Sequence, residues 1–210
     1  MQLLLELLSW CPGAVGLLLR QKMYPRFLRQ CGRNVLFGRF VKIQGANKIS
    51  IGDGVVVNNY VLLDARNYPG PGVGITLEDN VFVGAGTEML SLGEEILIKH
   101  DTNLGSECRI LSDKKTVIED NVLLAAYCRI GGTEHDRQKR KEGFKEEIYP
   151  LEDEMTKIGA GCWLGVRTSF RSGVEIGGGT IIGAHGNVEG SLPSEVVAVG
   201  NPAKILYSRT

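Results

Sequence analysis

Residues 158–188 read IGAGCWLGVRTSFRSGVEIGGGTIIGAHGNV, and an aliphatic or aromatic residue returns at every sixth position. The repeating positions are Ile158, Leu164, Phe170, Ile176, Ile182 and Val188. A period of six differs from the 3.6 residues of a helical turn and from the two-residue alternation of a strand. It is typical of a parallel β-helix, in which three short strands and three tight corners complete each triangular coil. The stretch therefore predicts a rod of stacked coils, with every sixth side chain in its core.

The same period continues toward the N-terminus, which extends the predicted rod over most of the chain. Four further sets keep the spacing: Ile51, Val57 and Leu63; Leu77, Val83 and Met89; Ile98, Leu104 and Ile110; and Ile118, Leu124 and Ile130. Two residues before many of these positions stands a small or β-branched residue, such as Val122, that a narrow corner can accommodate. Turn formers such as Gly52-Asp53-Gly54 fill the corners, because Gly, Asn and Asp accept tight backbone geometry. We therefore predict an all-β fold, a parallel β-helix of hexapeptide repeats.

Interruptions of the period divide the chain. One long loop, residues 133–156, leaves an otherwise regular rod, and long loops on regular scaffolds are commonly functional. We assign residues 46–210 to the β-helix domain, with a C-terminal tail at 193–210, and residues 1–45 to a short N-terminal helical segment. The net charge of the 210 residues is zero, so the composition does not favour nucleic-acid binding. The five cysteines fit packed thiols better than a disulfide framework, because their number is odd and three occupy small inward positions.

The N-terminal segment is rich in leucine and ends in cations. Leucines dominate residues 3–19, and basic residues begin at Arg20. The stretch is shorter than the ~20 apolar residues that cross a bilayer, and Glu6 and Pro12 interrupt it. Two compatible interpretations are a helical cap over the open end of the rod and peripheral membrane contact through residues 1–30. Because no convincing secretory signal is present, we expect a cytoplasmic protein, with the inner face of the membrane as the surface for any such contact.

The three histidines occupy different kinds of position. His100 and His185 fall in outward-facing corners of the predicted rod, where a solvated side chain is the simplest interpretation. His135 follows the inward Ile130 at the point where the long loop begins. A neutral imidazole at the mouth of a groove can take a proton from a hydroxyl or an amine near neutral pH. The spacing is compatible with His135 as such a base and equally with His135 as an ordinary surface residue.

Residues 116–136 and 157–206 resemble the hexapeptide-repeat acyltransferases, particularly the maltose, galactoside and other sugar O-acetyltransferases. The motifs that carry the resemblance are Val117-Ile118-Glu119-Asp120-Asn121-Val122, Ile158-Gly159-Ala160-Gly161-Cys162-Trp163-Leu164-Gly165, Ser172-Gly173-Val174-Glu175-Ile176-Gly177 and Val199-Gly200-Asn201-Pro202-Ala203-Lys204. The resemblance implies a left-handed parallel β-helix, an exception to the right-handed crossover rule. It also implies acetyl-CoA as acyl donor and a C3 homotrimer, with acetyl-CoA in the groove between neighbouring rods.

Carried over by position, the resemblance assigns roles to individual residues. His135 matches the catalytic base and Asp113 a carboxylate that binds the acceptor. Glu147 is the best match to the carboxylate that orients the base, with Glu146 close behind. Backbone groups at three positions match the coenzyme A groove: Ala125, Val166 and Ala184. The implied reaction is direct transfer, in which His135 takes the proton of a sugar hydroxyl as this hydroxyl attacks the thioester. A backbone N–H of the groove would stabilise the oxyanion.

Two departures from the family pattern affect substrate binding. A Thr-Lys pair that commonly meets the coenzyme A phosphates is replaced by Glu189-Gly190. We expect Lys204, Arg209 or a basic residue of a neighbouring subunit to make this contact instead. An Asn that binds the acceptor in sugar acetyltransferases is replaced by Gly105. The acceptor pocket, at Gly105 and Asp113, is therefore expected to differ from that of a galactoside or maltose enzyme.

The function that these residues favour is acetyl-CoA-dependent acetylation of a sugar hydroxyl in polysaccharide or glycolipid assembly. One alternative is a sugar-nucleotide N-acyltransferase, which uses the same donor with an amine acceptor. Another is a non-catalytic β-helix scaffold that has lost coenzyme A binding, as Glu189 would permit. A γ-type carbonic anhydrase has this fold with three histidine ligands to zinc, but only His135 lies in the groove region here. We therefore expect no metal.

Overall fold

The structure, a computed structural model, describes residues 2–132 and 155–209. Short parallel strands stack into three sheets, which form the faces of a triangular prism. The chain passes in order through face A, face B and face C and then begins the next coil. The architecture is the left-handed parallel β-helix that the sequence predicted.

The strands are two to six residues long and follow one another in a fixed order. In chain order they are β1 (Gln30–Cys31), β2 (Leu36–Phe37), β3 (Lys42–Gln44), β4 (Ile49–Ile51), β5 (Val56–Val57), β6 (Leu62–Asp64), β7 (Ile75–Leu77), β8 (Phe82–Val83), β9 (Glu88–Ser91), β10 (Ile96–Ile98), β11 (Asn103–Leu104), β12 (Arg109–Ser112), β13 (Lys115–Ile118), β14 (Leu123–Leu124), β15 (Arg129–Gly131), β16 (Met155–Ile158), β17 (Trp163–Leu164), β18 (Ser169–Phe170), β19 (Glu175–Ile176), β20 (Ile181–Ile182), β21 (Asn187–Val188), β22 (Val196–Gly200) and β23 (Ala203–Ser208). Face A contains β1, β4, β7, β10, β13, β16 and β19; face B contains β2, β5, β8, β11, β14, β17, β20, β22 and β23; and face C contains β3, β6, β9, β12, β15, β18 and β21.

Strand register confirms the six-residue period. Each strand pairs in parallel with its equivalent one coil later, so that Leu104 aligns with Leu124 and Leu124 with Leu164 on face B. These side chains are almost completely buried. Because equivalent apolar residues stack directly on each other, the core is a continuous column along the rod.

The first coil begins at Gln30, upstream of residue 46, from which the sequence pattern assigned the β-helix. Cys31 aligns with Ile51, Phe37 with Val57, and Ile43 with Leu63, one pair on each face. The inward residues of this coil are thus also six positions apart. The β-helix therefore includes part of the segment that the sequence pattern had assigned to the N-terminal annex.

Tight corners connect the faces, and many of them contain a residue with left-handed backbone conformation. At the corner between faces B and C this residue is Tyr60, Glu107, Tyr127, Arg167 or His185, with φ between 58° and 62°. Neighbouring corners also pack closely: a Cβ at Gly105 would lie 2.6 Å from a backbone carbon of Ala125. The glycine at position 105 therefore serves close backbone packing.

The small residues beside the core form hydrogen bonds inside the corners. Thr87 donates its hydroxyl to the Gly105 carbonyl at 2.9 Å, and Thr102 donates to the Glu119 carbonyl at 2.8 Å. These bonds satisfy polar groups that the prism buries. Cys162 occupies an equivalent position, and burial raises the pKa of its thiol to about 11. The thiol is therefore neutral at physiological pH and packs as a small apolar group.

Two helices precede the rod, α1 (Gln2–Trp10) and α2 (Gly13–Met23), followed by a 3₁₀ turn at Tyr24–Arg26; a second 3₁₀ turn spans Ala46–Lys48. The two helices pack on the first coil through Arg20, which is buried. Its guanidinium donates to the Phe37 carbonyl of the first coil at 2.9 Å and to the Cys11 carbonyl between the two helices at 2.7 Å. The Tyr24 ring meets the Phe37 ring edge-on, with centroids 5.1 Å apart. Across the described part of the chain, no helix has the length and apolar character needed to span a membrane.

Candidate active site

Four predicted site residues lie on successive coils along one edge of the prism, the corner between faces B and C. These residues are Gly105, Ala125, Val166 and Ala184. Their side chains are small, and the coils approach so closely that a Cβ at Gly165 would lie 2.5 Å from the Ala184 nitrogen. Backbone is therefore accessible along this part of the edge, which we call the small-residue edge.

The small-residue edge has backbone donors that remain available. Near the N-terminal end of the same corner, the Arg39 N–H donates to the Asn59 side chain of the next coil at 2.7 Å. At Ala126 and Val166 the next coil offers only an apolar side chain. Within residues 2–132 and 155–209, the N–H groups of Ala126, Val166 and Ala184 have no hydrogen-bond acceptor. Such groups can donate to carbonyl or anionic oxygens of a ligand.

Lys204 lies at the C-terminal end of this edge, on β23. Its backbone partner in the antiparallel hairpin is Val199, and a Cβ at Gly183 would lie 2.8 Å from a Val199 methyl carbon. Lys204 is exposed. The structure thus brings a cation close to the corner that contains Ala184.

Arg209, the other cation expected to meet the phosphates, is engaged at a different corner. Its guanidinium lies 3.7 Å from the Glu195 carboxylate and donates to the Gly179 carbonyl, between faces A and B. Glu189 accepts a hydrogen bond from the Asn187 amide at 2.8 Å, and Asn187 in turn accepts from Ser169 at 2.6 Å. Asn187 is neutral, so this hydrogen bond does not offset the negative charge of Glu189 near the C-terminal end of the rod.

Asp113 lies at a third location, the corner between faces C and A, just after β12. Its carboxylate accepts a hydrogen bond from the Ser172 hydroxyl at 2.5 Å, and the same hydroxyl lies 3.1 Å from the Gly132 carbonyl. Ser172 had no role in the sequence-based prediction, although it belongs to a motif that carried the family resemblance. Only the three-dimensional contact identifies it.

Gly132 is the last residue described before the long loop. The predicted base His135 and its partner Glu147 lie outside the described residues. Near the loop exit, Arg129 projects from face C, and a Cβ at Gly132 would lie 3.1 Å from its guanidinium. On the preceding coil, by contrast, Arg109 forms an ion pair with Glu88 at 3.1 Å.

His100 belongs to the corner between faces A and B. Its Nδ1 lies 2.9 Å from Asp101 and its Nε2 lies 3.2 Å from Asp120. The hydrogen bond to Asp101, assisted by the charge of both carboxylates, raises the pKa of His100. A cavity of about 460 Å³ adjoins it, with Asp79 in the lining. No cluster of three or more potential metal ligands occurs among the residues for which the structure gives positions.

Comparison with known proteins shows the family. The lipopolysaccharide biosynthesis O-acetyl transferase WbbJ, so assigned in Escherichia coli, is 30% identical over 180 residues, which cover 86% of this chain and 80% of WbbJ. Galactoside O-acetyltransferase of Escherichia coli is 31% identical over 118 residues, 55% of each protein. Matches to some other relatives span between 37% and 59% of those proteins. No protein-family model matches the chain.

Among solved structures, AntD, an N-acyltransferase from Bacillus cereus in complex with dTDP and 3-hydroxybutyryl-CoA, superimposes with a TM-score of 0.55. It is 16% identical, and the match covers 91% of this chain and 88% of AntD, a likeness in fold. Fold and relatives together define a hexapeptide-type sugar acyltransferase. The chain belongs to the family of sugar O-acetyltransferases that includes WbbJ and galactoside O-acetyltransferase, as the sequence predicted.

Proposed function

We propose that the protein transfers an acetyl group from acetyl-CoA to a hydroxyl of a sugar during polysaccharide or glycolipid assembly. The observation that supports this most directly is the small-residue edge, with unpaired N–H groups at Ala126, Val166 and Ala184. An elongated ligand rich in amide carbonyls, such as the pantetheine arm of coenzyme A, has acceptors to match them. Membership of the sugar O-acetyltransferase family supports the same acyl donor, acetyl-CoA.

The chemistry assigned to the site is direct acyl transfer. His135 takes the proton of the acceptor hydroxyl while the hydroxyl oxygen attacks the thioester carbonyl carbon. A backbone N–H of the edge stabilises the resulting oxyanion. When the tetrahedral intermediate collapses, the carbon–sulfur bond breaks and the proton passes from His135 to the leaving thiolate. Glu147 orients the imidazole, and Asp113 accepts a hydrogen bond from another hydroxyl of the acceptor.

Charge near the end of the rod bears on the donor. Lys204 is exposed beside the last coil and is available to meet the phosphates of acetyl-CoA. Glu189 places a negative charge in the same region, which opposes phosphate binding. We expect the affinity for acetyl-CoA to depend on Lys204 and to fall with increasing salt.

An apolar stripe on face B supports assembly into a homotrimer. Leu36, Phe82, Leu123 and Trp163 stand in one register column, and each is substantially exposed, although the polar Asn103 lies between Phe82 and Leu123. The outward column of face C, by contrast, is mostly polar and contains Lys42, Leu62, Glu88, Arg109, Arg129, Ser169 and Asn187. An apolar stripe of this extent is unfavourable in water. We infer that copies of the same chain cover it.

The N-terminal helices support peripheral membrane contact from the cytoplasmic side. Arg20 and Tyr24 face the rod, whereas Leu18 on α2 and Trp10 on α1 are 60% and 65% exposed. Lys22 follows Leu18 by one helical turn and is also exposed. Apolar side chains next to a cation match the interface between acyl chains and anionic headgroups. An enzyme held there would meet acceptors attached to lipid.

Activity can be tested with purified protein, acetyl-CoA and a panel of neutral, anionic, amino and nucleotide-linked sugars. Release of free coenzyme A thiol gives the rate, and mass spectrometry identifies the acetylated product. Mild alkali distinguishes the two classes of acceptor, because it cleaves an O-acetyl ester and leaves an N-acetyl amide intact. An alkali-stable product would favour the N-acyltransferase, the chemistry named for AntD. Absence of acetyl-CoA binding in calorimetry would favour the scaffold.

A further inference from the structure

The turn between β18 and β19 joins three distant parts of the chain. Ser172, in this turn, is 3% exposed. Its hydroxyl contacts the Asp113 carboxylate at 2.5 Å and the Gly132 carbonyl at 3.1 Å, residues that precede it by 59 and 40 positions. The next residue, Gly173, donates its N–H to the buried Thr156 hydroxyl at 2.9 Å. One turn therefore holds Asp113 together with both described ends that flank residues 133–154.

These contacts involve groups that need partners. Asp113 is partly buried, and a carboxylate removed from water is stabilised by a charge-assisted hydrogen bond, the stronger kind. The Ser172 hydroxyl is the donor that provides it. The Gly132 carbonyl oxygen lies 3.1 Å from the same hydroxyl oxygen and shares its single proton with the closer carboxylate, which places the end of β15 beside Asp113.

The backbone at Gly131 and Gly132 has little conformational freedom to replace the Ser172 contact if this is lost. Gly131 has a φ of 69°, and a Cβ there would lie 2.1 Å from the Leu111 carbonyl oxygen. Gly132 has a φ of 123°. Both residues are thus held in conformations that require glycine. The backbone at the end of β15 is therefore fixed by these two glycines and by the Ser172 contact.

We propose that Ser172 is a positioning residue for the transfer reaction. Its hydroxyl holds the Asp113 carboxylate in one orientation beside the Gly132 carbonyl, so that the carboxylate is fixed where it accepts a hydrogen bond from the acceptor. The inference rests on the proposed function, because it takes Asp113 as the acceptor-binding carboxylate. A misplacement of about 1 Å between reacting groups can cost roughly 10²-fold in rate.

An isosteric pair of variants isolates the hydroxyl. Ser172→Thr keeps the hydroxyl and adds a methyl group, whereas Ser172→Val has nearly the same shape without the hydroxyl. We expect Ser172→Val to lower kcat/KM for the sugar acceptor by roughly 10- to 100-fold relative to Ser172→Thr. The KM for acetyl-CoA should be equal in the two variants, whereas Ser172→Val should melt at a somewhat lower temperature, because Asp113 loses its hydrogen-bond donor. Ser169→Ala, which removes a hydroxyl from the neighbouring strand, is the control and should retain acceptor kinetics.

Each outcome has a separate meaning. Equal acceptor kinetics of the Thr and Val variants, with active wild-type protein, would overturn the positioning role and leave the proposed function intact. A Val variant in which the melting temperature falls and the KM values for acetyl-CoA and for the acceptor rise together would make Ser172 merely structural. That result would also overturn the positioning role. A combined Ser172→Val and Asp113→Asn variant should be little worse than Asp113→Asn, because both act through one carboxylate. Wild-type protein that acetylates no sugar would overturn the proposed function and this inference with it.

Discussion

At the scale of single residues, His135 is the position where the proposed chemistry is most sensitive to substitution. It has no inward place in the six-residue register, so the core does not require it. We expect His135→Ala to lower kcat by roughly 10²–10⁴-fold, because a positioned general base is lost. Thermal melting and acetyl-CoA affinity should remain close to wild type, as calorimetry can establish.

Glu147 offers a control for the same role. Glu147→Gln should reduce kcat less than His135→Ala, because it would disturb the orientation of the ring and leave the base in place. The double variant should be little slower than His135→Ala, since the two residues act as one unit. Full activity of His135→Ala on the true acceptor would place the base elsewhere.

A second residue-scale prediction concerns pH and His100. Asp101 and Asp120 raise the pKa of His100, the Asp101 hydrogen bond having the larger effect, and His100 in turn lowers the pKa of Asp101. A raised folded-state pKa means that the stabilisation is complete below the unfolded value of about 6.5 and is lost as the pH rises through the folded value. It is also lost in acid, once Asp101 is protonated. His100→Gln should therefore reduce the melting temperature at pH 5.5 and have little effect at pH 9.

The comparison of wild type and variant over a pH series provides the test. The difference in melting temperature should decline between neutral and alkaline pH, with a midpoint above 6.5, the ordinary pKa of histidine. A difference that is constant from pH 5 to 9 would mean that the ring acts by packing and that its charge does not stabilise the fold.

The site illustrates which residues a sequence can reveal. Gly105, Ala125, Val166 and Ala184 could be assigned to one edge, because the period of six places equivalent corner residues above one another. Ser172 could not, because its contact with Asp113 bridges coils that a long loop separates in sequence. A serine within a corner motif has no pattern that distinguishes it from a solvated turn residue. Its significance depends on burial and on the carboxylate that it meets.

At the scale of elements, the core column gives a sharp test on β14. Leu124 is buried between Leu104 and Leu164, whereas its neighbour Leu123 is 44% exposed on the same strand. Leu124→Asp would bury a carboxylate without a partner, at a cost of several kcal/mol. We expect insoluble or unfolded protein, judged from soluble yield and circular dichroism. Leu123→Asp should fold, and a soluble Leu124→Asp variant with unchanged melting would show the register to be wrong.

The N-terminal helices permit a test of membrane contact that leaves the cap intact. Deletion of residues 1–30 would remove the buried Arg20 and Tyr24 and expose the first coil. A point substitution avoids this problem, because Leu18 is exposed. Wild-type protein should co-sediment with phosphatidylglycerol vesicles more than with phosphatidylcholine vesicles, and less so at high salt.

Leu18→Glu should weaken that binding, because it places a carboxylate at the apolar surface. Leu97→Glu, which makes the same change at an outward, partly exposed position on face A, should bind vesicles like wild type. If Leu18→Glu binds vesicles as well as wild type does, or if wild type co-sediments with neither vesicle composition, the helices serve only as a cap.

The strands and helices also show which features a sequence pattern can predict and which it cannot. The columns from Ile51 onward were predictable, because aliphatic residues recur in them with almost no exception. The first coil was not, because its first inward position is Cys31, which falls outside an aliphatic or aromatic pattern. The helices were predictable as a leucine-rich segment. Which leucines face the rod depends on how Arg20 docks against the Phe37 carbonyl, and this is a tertiary contact.

At the scale of the whole molecule, the apolar stripe on face B determines the expected assembly. Trp163 is 52% exposed at the C-terminal end of the stripe, beside Leu123 on the preceding coil. A homotrimer that buries this stripe would also bring neighbouring rods together and form the groove in which the sequence resemblance predicts acetyl-CoA. We expect sedimentation equilibrium to give a trimer and activity to follow the trimer fraction on dilution.

Trp163→Arg should convert the trimer to a folded monomer without activity, because it places a charge in a desolvated interface. Trp10→Arg makes the same exchange on the N-terminal helix, where the ring is 65% exposed, and should leave the trimer intact. Circular dichroism of the Trp163→Arg monomer should match that of wild type, since neither ring belongs to the core of the rod. A wild-type monomer that is stable and fully active would contradict the assembly, and a trimeric Trp163→Arg variant would move the interface to another face.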